Sequence, residues 1–414
     1  MNNLESLVKE LAPAYAAQIR FVEKPRADGK GYFLLKAAGN TLVVSGSDTI
    51  ALAAGFHHYL KYFCNAHVSW CGRQTNVPDV MPLPEQEYVQ VLPFALRPYM
   101  NFCTFGYTTV WWDWKRWKEE IDYMALNGIN MPLSVTGVEM IWYRTLRRMG
   151  LSDIEARSFI SGPAFLPWQW MVNMDSHLGP IPMEWLDSHL ELGRKILEYQ
   201  RAWGMKAILP GFSGHVPAIW AKRHPEARVI AGKEGWCNFP PVSLLDPTDP
   251  KFAEIMSIYF EELNAAFGTD HYYAIDLFHE QALPNDDPDY PHQCGEHTAQ
   301  TLLKMDPEAI WVMQAWSERK GIVEAIPKDH LLMLDIGKDR LAATDGLYGV
   351  PAVWGRINNF GGQTKIQGNL AEIPERLQEL RGRFPNLTGV GAFPENLIAN
   401  PVFFDLLFEQ ALTD

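Results

Sequence analysis

What the chain lacks narrows its possible roles first. It has five cysteines in 414 residues (Cys64, Cys71, Cys103, Cys237 and Cys294), odd in number, widely spaced and without a CxxC pair. This pattern argues against a disulfide framework and against a zinc ribbon. Basic charge is scarce: 36 Lys and Arg face 49 Asp and Glu, leaving a net −13. No basic run with interleaved aromatics offsets the deficit, so no nucleic-acid partner is expected. No stretch reaches the roughly 18 apolar residues that would cross a bilayer, so no membrane partner is expected either. Met1 to Ser6 shows no basic segment ahead of an apolar run, so no signal peptide is evident and the chain reads as cytoplasmic. A glycine-rich phosphate turn after an early strand is also missing, which counts against an open doubly wound sheet.

Aromatic residues, by contrast, are abundant: 12% of the chain, with 15 tryptophans, while the 47% hydrophobic and 21% charged fractions are ordinary for a globular protein. Flat rings serve a core and a sugar-binding cleft equally well. Residues 1 to about 85 read as a small α/β module. Leu4 to Ile19 has helical apolar spacing, Gly31 to Leu35 and Thr41 to Val44 read as strands, and Asp48 caps a helix from Thr49 to Phe63. The proline-containing stretch Val77 to Pro84 reads as a linker.

From about residue 92 a unit recurs: amphipathic helix, glycine, short apolar strand. Trp114, Trp117, Ile121, Met124 and Ala125 share one helical face, Asn127-Gly128 ends that helix, and Ile129 to Val135 follows as a strand. The unit repeats through Trp185 to Leu209 and through Phe252 to Leu277. Further strands are expected at Ala309 to Gln314, His330 to Ile336, Ala352 to Ile357 and Leu387 to Ala392, and Arg97 to Cys103 precedes them all. Eight such strands predict an α/β fold: a (β/α)8 TIM barrel over 92–414, preceded by the small α/β N-terminal domain over 1–85.

Reactive side chains in such barrels stand just past the C-terminal strand ends. Those ends carry Asn101 and Cys103, then His215, then Asp276, His279 and Glu280, then Gln314 and Trp316, then Trp354 and Asn359, and finally Glu395. Two carboxylates, Glu280 and Glu395, therefore share a rim. Breaking a glycosidic bond requires such a pair, one to protonate the leaving oxygen and one to assist at the anomeric carbon. Indoles and amides at the neighbouring ends, Trp316, Trp354 and Asn359 among them, suit a sugar's faces and hydroxyls. His215 and His279 stand on the same rim as candidate substrate contacts. A metal reading of Asp276, His279, Glu280 and His215 lacks both a His pair at i, i+4 and an HxH on the first strand end, so no metal or other cofactor is expected. Trp114 and Trp117 belong to the core by their helical face, and Cys103, with no partner base, reads as an inert buried thiol.

Longer motifs then become recognisable. Asn101-Phe102-Cys103-Thr104, Trp111-Trp112-Asp113-Trp114, Met124 to Asn130, Gly162 to Leu166 and Pro210 to Pro217 closely resemble the α-N-acetylglucosaminidase family, glycoside hydrolase family 89. Gly268-Thr269-Asp270-His271, Asn359 to Gly362 and Pro394-Glu395 continue the match in order. The resemblance implies a small α/β domain, a (β/α)8 barrel and an all-helical C-terminal domain, acting with retention and without metal on terminal α-linked N-acetylglucosamine. It implies that Glu280 is the general acid/base and Glu395 the nucleophile. Asn101, Cys103, Trp168, Trp316 and Asn359 fall at positions lining the sugar pocket. His279 stands where some members carry asparagine. The mechanism so implied asks for a raised Glu280 pKa, supplied by partial burial and the neighbouring Glu395 charge. The sequence stops at Asp414, where the family continues into its helical domain. The expected partner is a GlcNAc-terminated glycan. For the helical domain, either a separate helical chain supplies it, or the cleft is open, or activity is reduced. The alternative function is a barrel that binds such glycans and hydrolyses them little unless a separate helical partner completes the site.

Overall fold

The computed structural model describes residues 2–232, 235–363 and 366–413. The first helix, Asn2–Leu11, ends well short of Ile19. Pro13 has no amide hydrogen to continue the ladder, so the chain makes one 3-10 turn at Pro13–Tyr15 and enters a strand, Ile19–Glu23, that the helical spacing had hidden. That strand pairs in parallel with Thr41–Gly46, which pairs antiparallel with Tyr32–Ala38. A fourth strand, Tyr88–Val91, joins the far edge of the sheet. The sheet thus extends past residue 85: the proline-rich stretch is an excursion, after which the chain returns to pair with Tyr32 to Leu35. Helix Thr49–Cys64 covers the sheet, with the Asp48 carboxylate accepting from the Ala51 amide at 2.8 Å. Gly55 is where helix and sheet touch most closely, since a Cβ there would press on the Phe33 ring at 3.1 Å.

Eight strands build the barrel: β1 (Pro98–Tyr99), β2 (Met131–Pro132), β3 (Ile208–Pro210), β4 (Tyr272–Ala274), β5 (Ile310–Gln314), β6 (Leu331–Asp335), β7 (Ala352–Arg356) and β8 (Leu387–Ala392). All pair in parallel with their sequence neighbours, and β8 closes back on β1 through Ala392 and Tyr99. Between β2 and β3 the seam is a bridge from Leu133 to Ile208, reinforced by the Ser134 amide donating to the Ile208 carbonyl at 2.9 Å. The strands are short, largely buried and apolar up to a polar last residue in β5, β6 and β7 (Gln314, Asp335, Arg356), as parallel strands covered on both faces are. At Gly355 and Gly391, β7 and β8 approach so closely that a Cβ on Gly355 would run into the Gly391 carbonyl.

The connections are unequal. Trp114–Leu126, Met183–Ala202, Pro250–Phe267, Tyr290–Met305 and Glu372–Arg383 are full-length helices, whereas Lys320–Glu324 and Arg340–Ala343 are single turns. The connection after β2 is long and carries helix Val138–Arg148. There Glu139 is buried and accepts from the Trp185 indole at 3.0 Å. Burial pushes its carboxyl pKa up to about 7, against the pull of the Trp185 indole and the amides of its own helix start. The connection after β3 adds a three-stranded antiparallel sheet of His215–Val216, Val229–Ala231 and Ser243–Leu245. Helix Pro401–Leu412 packs against β8 and reaches the N-terminal module. Glu409 pairs with Lys61 and accepts from Tyr62 at 3.1 Å, while Phe404 and Phe408 pack on Trp70.

Candidate active site

Glu280 follows β4 on a tight turn. Phe278 and Glu280 both have positive φ (55° and 51°), a region that non-glycine residues enter only when their surroundings impose it. Its amide donates to the Ser317 hydroxyl at 3.2 Å, and its carboxylate collects three donors from three other connections. Asn173 Nδ2 (2.8 Å) and Trp236 Nε1 (2.7 Å) both reach Oε2, while Trp316 Nε1 (2.9 Å) reaches Oε1.

Glu395 follows β8 and is buried. It accepts from the Gly361 amide at 2.5 Å and from the Cys103 thiol. Cys103 is positioned by its loop: its amide donates to Asn101 Oδ1 at 2.8 Å, and Thr104 Oγ1 donates to the Pro394 carbonyl at 2.5 Å, tying the β1 end to the β8 end. The thiol is itself held well above its ordinary pKa by burial and by the Glu395 charge, so it acts as a donor rather than a nucleophile.

Both glutamates line one cavity of about 300 Å3. Asn101, Cys103, Trp168, His279 and Trp316 share its wall with Tyr107, Asn173, Trp236, Cys237, Gln314 and Phe360. Trp168 and Trp236 lie 6.4 Å apart and 30° from parallel, forming one aromatic side. His279 is buried beside Asp276, whose carboxylate is occupied by the Gln314 amide and side chain at 2.9 and 2.7 Å. A second groove, of about 520 Å3, shares Trp316, Ile357 and Phe360 with the first and continues past Lys338, Trp354, Arg356 and Glu372.

Three of the residues singled out in the sequence do not face the glutamates. His215 begins the small antiparallel sheet, 1% exposed, with Nε2 2.9 Å from Asp175 and its ring against Phe159. It supports the wall rather than forming it. Trp354 is buried beneath the Arg356 guanidinium, 4.4 Å from its ring centre, and lines the neighbouring groove instead. Asn359 is buried, its backbone N–H donating to the Ile357 carbonyl at 2.9 Å, and is not among the residues lining the cavity. A left-handed turn at Asn358 (φ 64°) presents Phe360 to the cavity in its place. Asn173, Trp236 and Tyr107 were missed, because Asn173 lies on an irregular connection, Trp236 opens a 3-10 turn and Tyr107 ends the single-turn helix Thr104–Tyr107, and none directly follows a strand end or a helical stripe. Among the described residues, no three His, Cys, Asp or Glu side chains converge as a metal-ligand set. Nor, among those residues, is any helix long and apolar enough to cross a membrane.

The electrostatics also reverse one expectation. Burial raises the Glu280 pKa, but the Trp316 indole, the His279 charge, the Trp236 indole and Asn173 outweigh it, and the net shift is downward. Glu395 moves the other way: burial raises it, Gly361 and Cys103 partly oppose, and the Glu280 charge raises it further. Three neutral N–H groups aimed at one carboxylate, together with the His279 charge, stabilise the anion more than burial penalises it. Sequence alone cannot register this, because the donors come from separate connections.

Two family models match the chain. The α-N-acetylglucosaminidase TIM-barrel domain matches residues 97–414, and the α-N-acetylglucosaminidase N-terminal domain matches residues 2–84. The chain belongs to the α-N-acetylglucosaminidase family. Human α-N-acetylglucosaminidase is 37% identical over 385 residues, covering 88% of this chain and 52% of the human protein. The family 89 glycoside hydrolase of Clostridium perfringens, solved in complex with its substrate GlcNAc-alpha-1,4-galactose, superposes with a TM-score of 0.93 at 28% identity. That alignment covers 100% of this chain and 48% of the bacterial one. The same bacterial hydrolase in complex with PUGNAc also aligns at a TM-score of 0.93, with 29% identity. A family 20 β-N-acetylglucosaminidase from Vibrio harveyi shares the fold, at a TM-score of 0.60 and 12% identity. The chain therefore spans about half the length of the family relatives it matches.

Proposed function

We propose that this barrel releases terminal α-linked N-acetylglucosamine by a retaining double displacement, with Glu395 as nucleophile and Glu280 as general acid and then general base. The observation carrying this reading is the pair of carboxylates on one sugar-sized, aromatic-walled cavity, in a chain of this family. Glu395 attacks the anomeric carbon while Glu280 gives its proton to the departing oxygen. Glu280 then takes a proton from the water that hydrolyses the glycosyl-enzyme. The Gly361 amide and the Cys103 thiol aim Glu395, and Trp168 offers a ring face to the sugar. Glu395→Ala should abolish turnover of an activated aryl α-GlcNAc, and azide should restore rate to Glu280→Ala by replacing the water step. A near-wild-type rate in Glu395→Ala would refute the assignment.

A second reading has a specific support. Phe360, which lines the cavity, is 52% exposed, and Ile366 (90%), Ile398 (68%) and Val402 (62%) leave further apolar surface bare on the segments after β7 and β8. A separate helical chain covering that surface would complete the site, and without it the barrel would bind GlcNAc-terminated glycans and turn them over slowly. Rates measured with and without such a chain distinguish the two.

A further inference from the structure

The three donors on Glu280 are not equally fixed. Trp316 follows β5, one residue past the Ala315 amide that donates to β6 through the Leu334 carbonyl at 2.8 Å, so its backbone is set by the barrel wall, and its ring lies under the Lys338 ammonium at 3.7 Å. Asn173 is buried, 3% exposed, behind helix Leu166–Trp170. Trp236 instead rides the tip between Val229–Ala231 and Ser243–Leu245, where Gly235, Cys237 and Asn238 are exposed. The tip is a single turn with Cys237 and Asn238 in the left-handed region (φ 47° and 68°). It is so tight that a Cβ on Gly235 would collide with the Phe239 carbonyl. Of the three, only Trp236 stands on such an exposed tip, its ring packed on Trp168 at 6.4 Å and Phe239 at 6.3 Å.

The geometry on the carboxylate is also one-sided. An indole N–H and a primary amide N–H can only donate, so all three partners favour an acceptor-only carboxylate. Two of them crowd Oε2. A general acid must carry a proton; a protonated Glu280 can still accept from these donors but loses the charge that strengthens all three bonds, so each donor that leaves eases its protonation. The other titratable groups facing it are His279 on its own turn, Glu395 beyond β8, Cys103 and Tyr107 from the β1 connection, and Cys237 beside Trp236. None supplies a hydrogen-bond acceptor to Glu280 in this arrangement, and the direction of the Glu280 shift agrees.

We propose that Trp236 is a substrate-displaced positioning residue: its indole holds Glu280 as an anion in the open site, and the incoming glycosidic oxygen takes its place. The inference rests on Glu280 being the acid/base of the proposed reaction. On binding, the indole withdraws with its tip, Glu280 takes one proton from solvent water, and its O–H points at the glycosidic oxygen. In the chemical step that proton passes to the oxygen as the C1–O electron pair moves onto it, and a Glu395 oxygen bonds to C1. The open enzyme is thereby kept from presenting a proton donor to water alone, and the acid forms only around a bound glycoside.

The test reads the Trp236 indole N–H directly by NMR, assigned by its loss in Trp236→Phe, with PUGNAc as the ligand. In the free protein the resonance should step with pH as Glu280 titrates, and the step should vanish in Glu280→Gln. Saturating PUGNAc should then move it to the position of a water-exposed indole. In kinetics on an aryl α-GlcNAc, Trp236→Phe should displace the alkaline limb of kcat/KM upward by about one pH unit, leaving the limb of kcat in place. Trp316→Phe should move both limbs, since that indole stays on Glu280 throughout. PUGNAc binding with the Trp236 resonance unmoved overturns the proposal, as does an equal displacement of both limbs in Trp236→Phe. A protein that shows the indole–Glu280 titration but binds neither PUGNAc nor the aryl glycoside overturns the functional reading itself, and the displacement with it.

Discussion

Glu139 offers a measurement that depends on no assumption about substrate. Its carboxyl is 2% exposed on the first turn of helix Val138–Arg148, with the Trp185 indole as its partner, and burial holds its pKa at about 7 against an ordinary 4.5. Moving a carboxyl that far is worth ~3 kcal/mol, at ~1.4 kcal/mol for each tenfold. The sign follows from which state binds the proton more tightly. Below pH 4.5 the group is protonated in both folded and unfolded chains and costs nothing. Between 4.5 and 7 the unfolded chain releases its proton first, so stability falls as pH rises. Above 7 the folded protein carries the whole penalty of a buried anion. Glu139→Gln keeps the shape and an oxygen for Trp185 but never ionises. The variant should therefore gain ~2–3 kcal/mol over wild type in urea unfolding at pH 8 and little at pH 5. A difference independent of pH, or one that grows toward acid, would refute the argument that this carboxyl is ionised only at a cost.

Other consequences are as direct. Cys103→Ala removes a donor from Glu395, so the acidic limb of kcat/KM on an aryl α-GlcNAc should move to higher pH; a limb that stays put would show the thiol to be a bystander. His215→Ala leaves Asp175 Oδ2 without its imidazole partner and opens a void against Phe159. It should cost ~2–4 kcal/mol in denaturant unfolding and leave KM nearly unchanged, whereas a large KM effect would return His215 to the substrate site. Gly355→Ala forces β7 away from β8 and should depress soluble yield and thermal midpoint sharply, in contrast to Gly382→Ala on the exposed helix, where a Cβ meets nothing.

The barrel was legible because its signal is repeated. Three units spell an apolar helical stripe, a glycine and a short apolar run, further apolar runs follow, and all eight strands occur where those runs predict them. The first module was harder. Ile19–Glu23 continues the apolar spacing of the helix before it, and only Pro13 marks the break; Tyr88–Val91 follows prolines that look like a linker and then rejoins the sheet. In the site, Glu280, Glu395, Cys103 and Trp316 were readable because they trail strands, whose ends converge by construction. Asn173 and Trp236 were not, since connections of unrelated length bring them back to Glu280. Their absence from the sequence reading also explains the misjudged proton affinity: burial can be guessed from a strand end, but a ring of amide and indole hydrogens cannot.

Helix Pro401–Leu412 fastens β8 to the opening module, through Lys61 and Tyr62 on one side and Trp70 on another. A ribosome delivers those partners more than three hundred residues apart, so the module formed first cannot complete its outer face until synthesis has passed the barrel. Its early sheet and helix must remain soluble through that wait, with Trp70 bare. Truncation before residue 401 should therefore unsettle the beginning of the protein, far away in sequence, as much as the end.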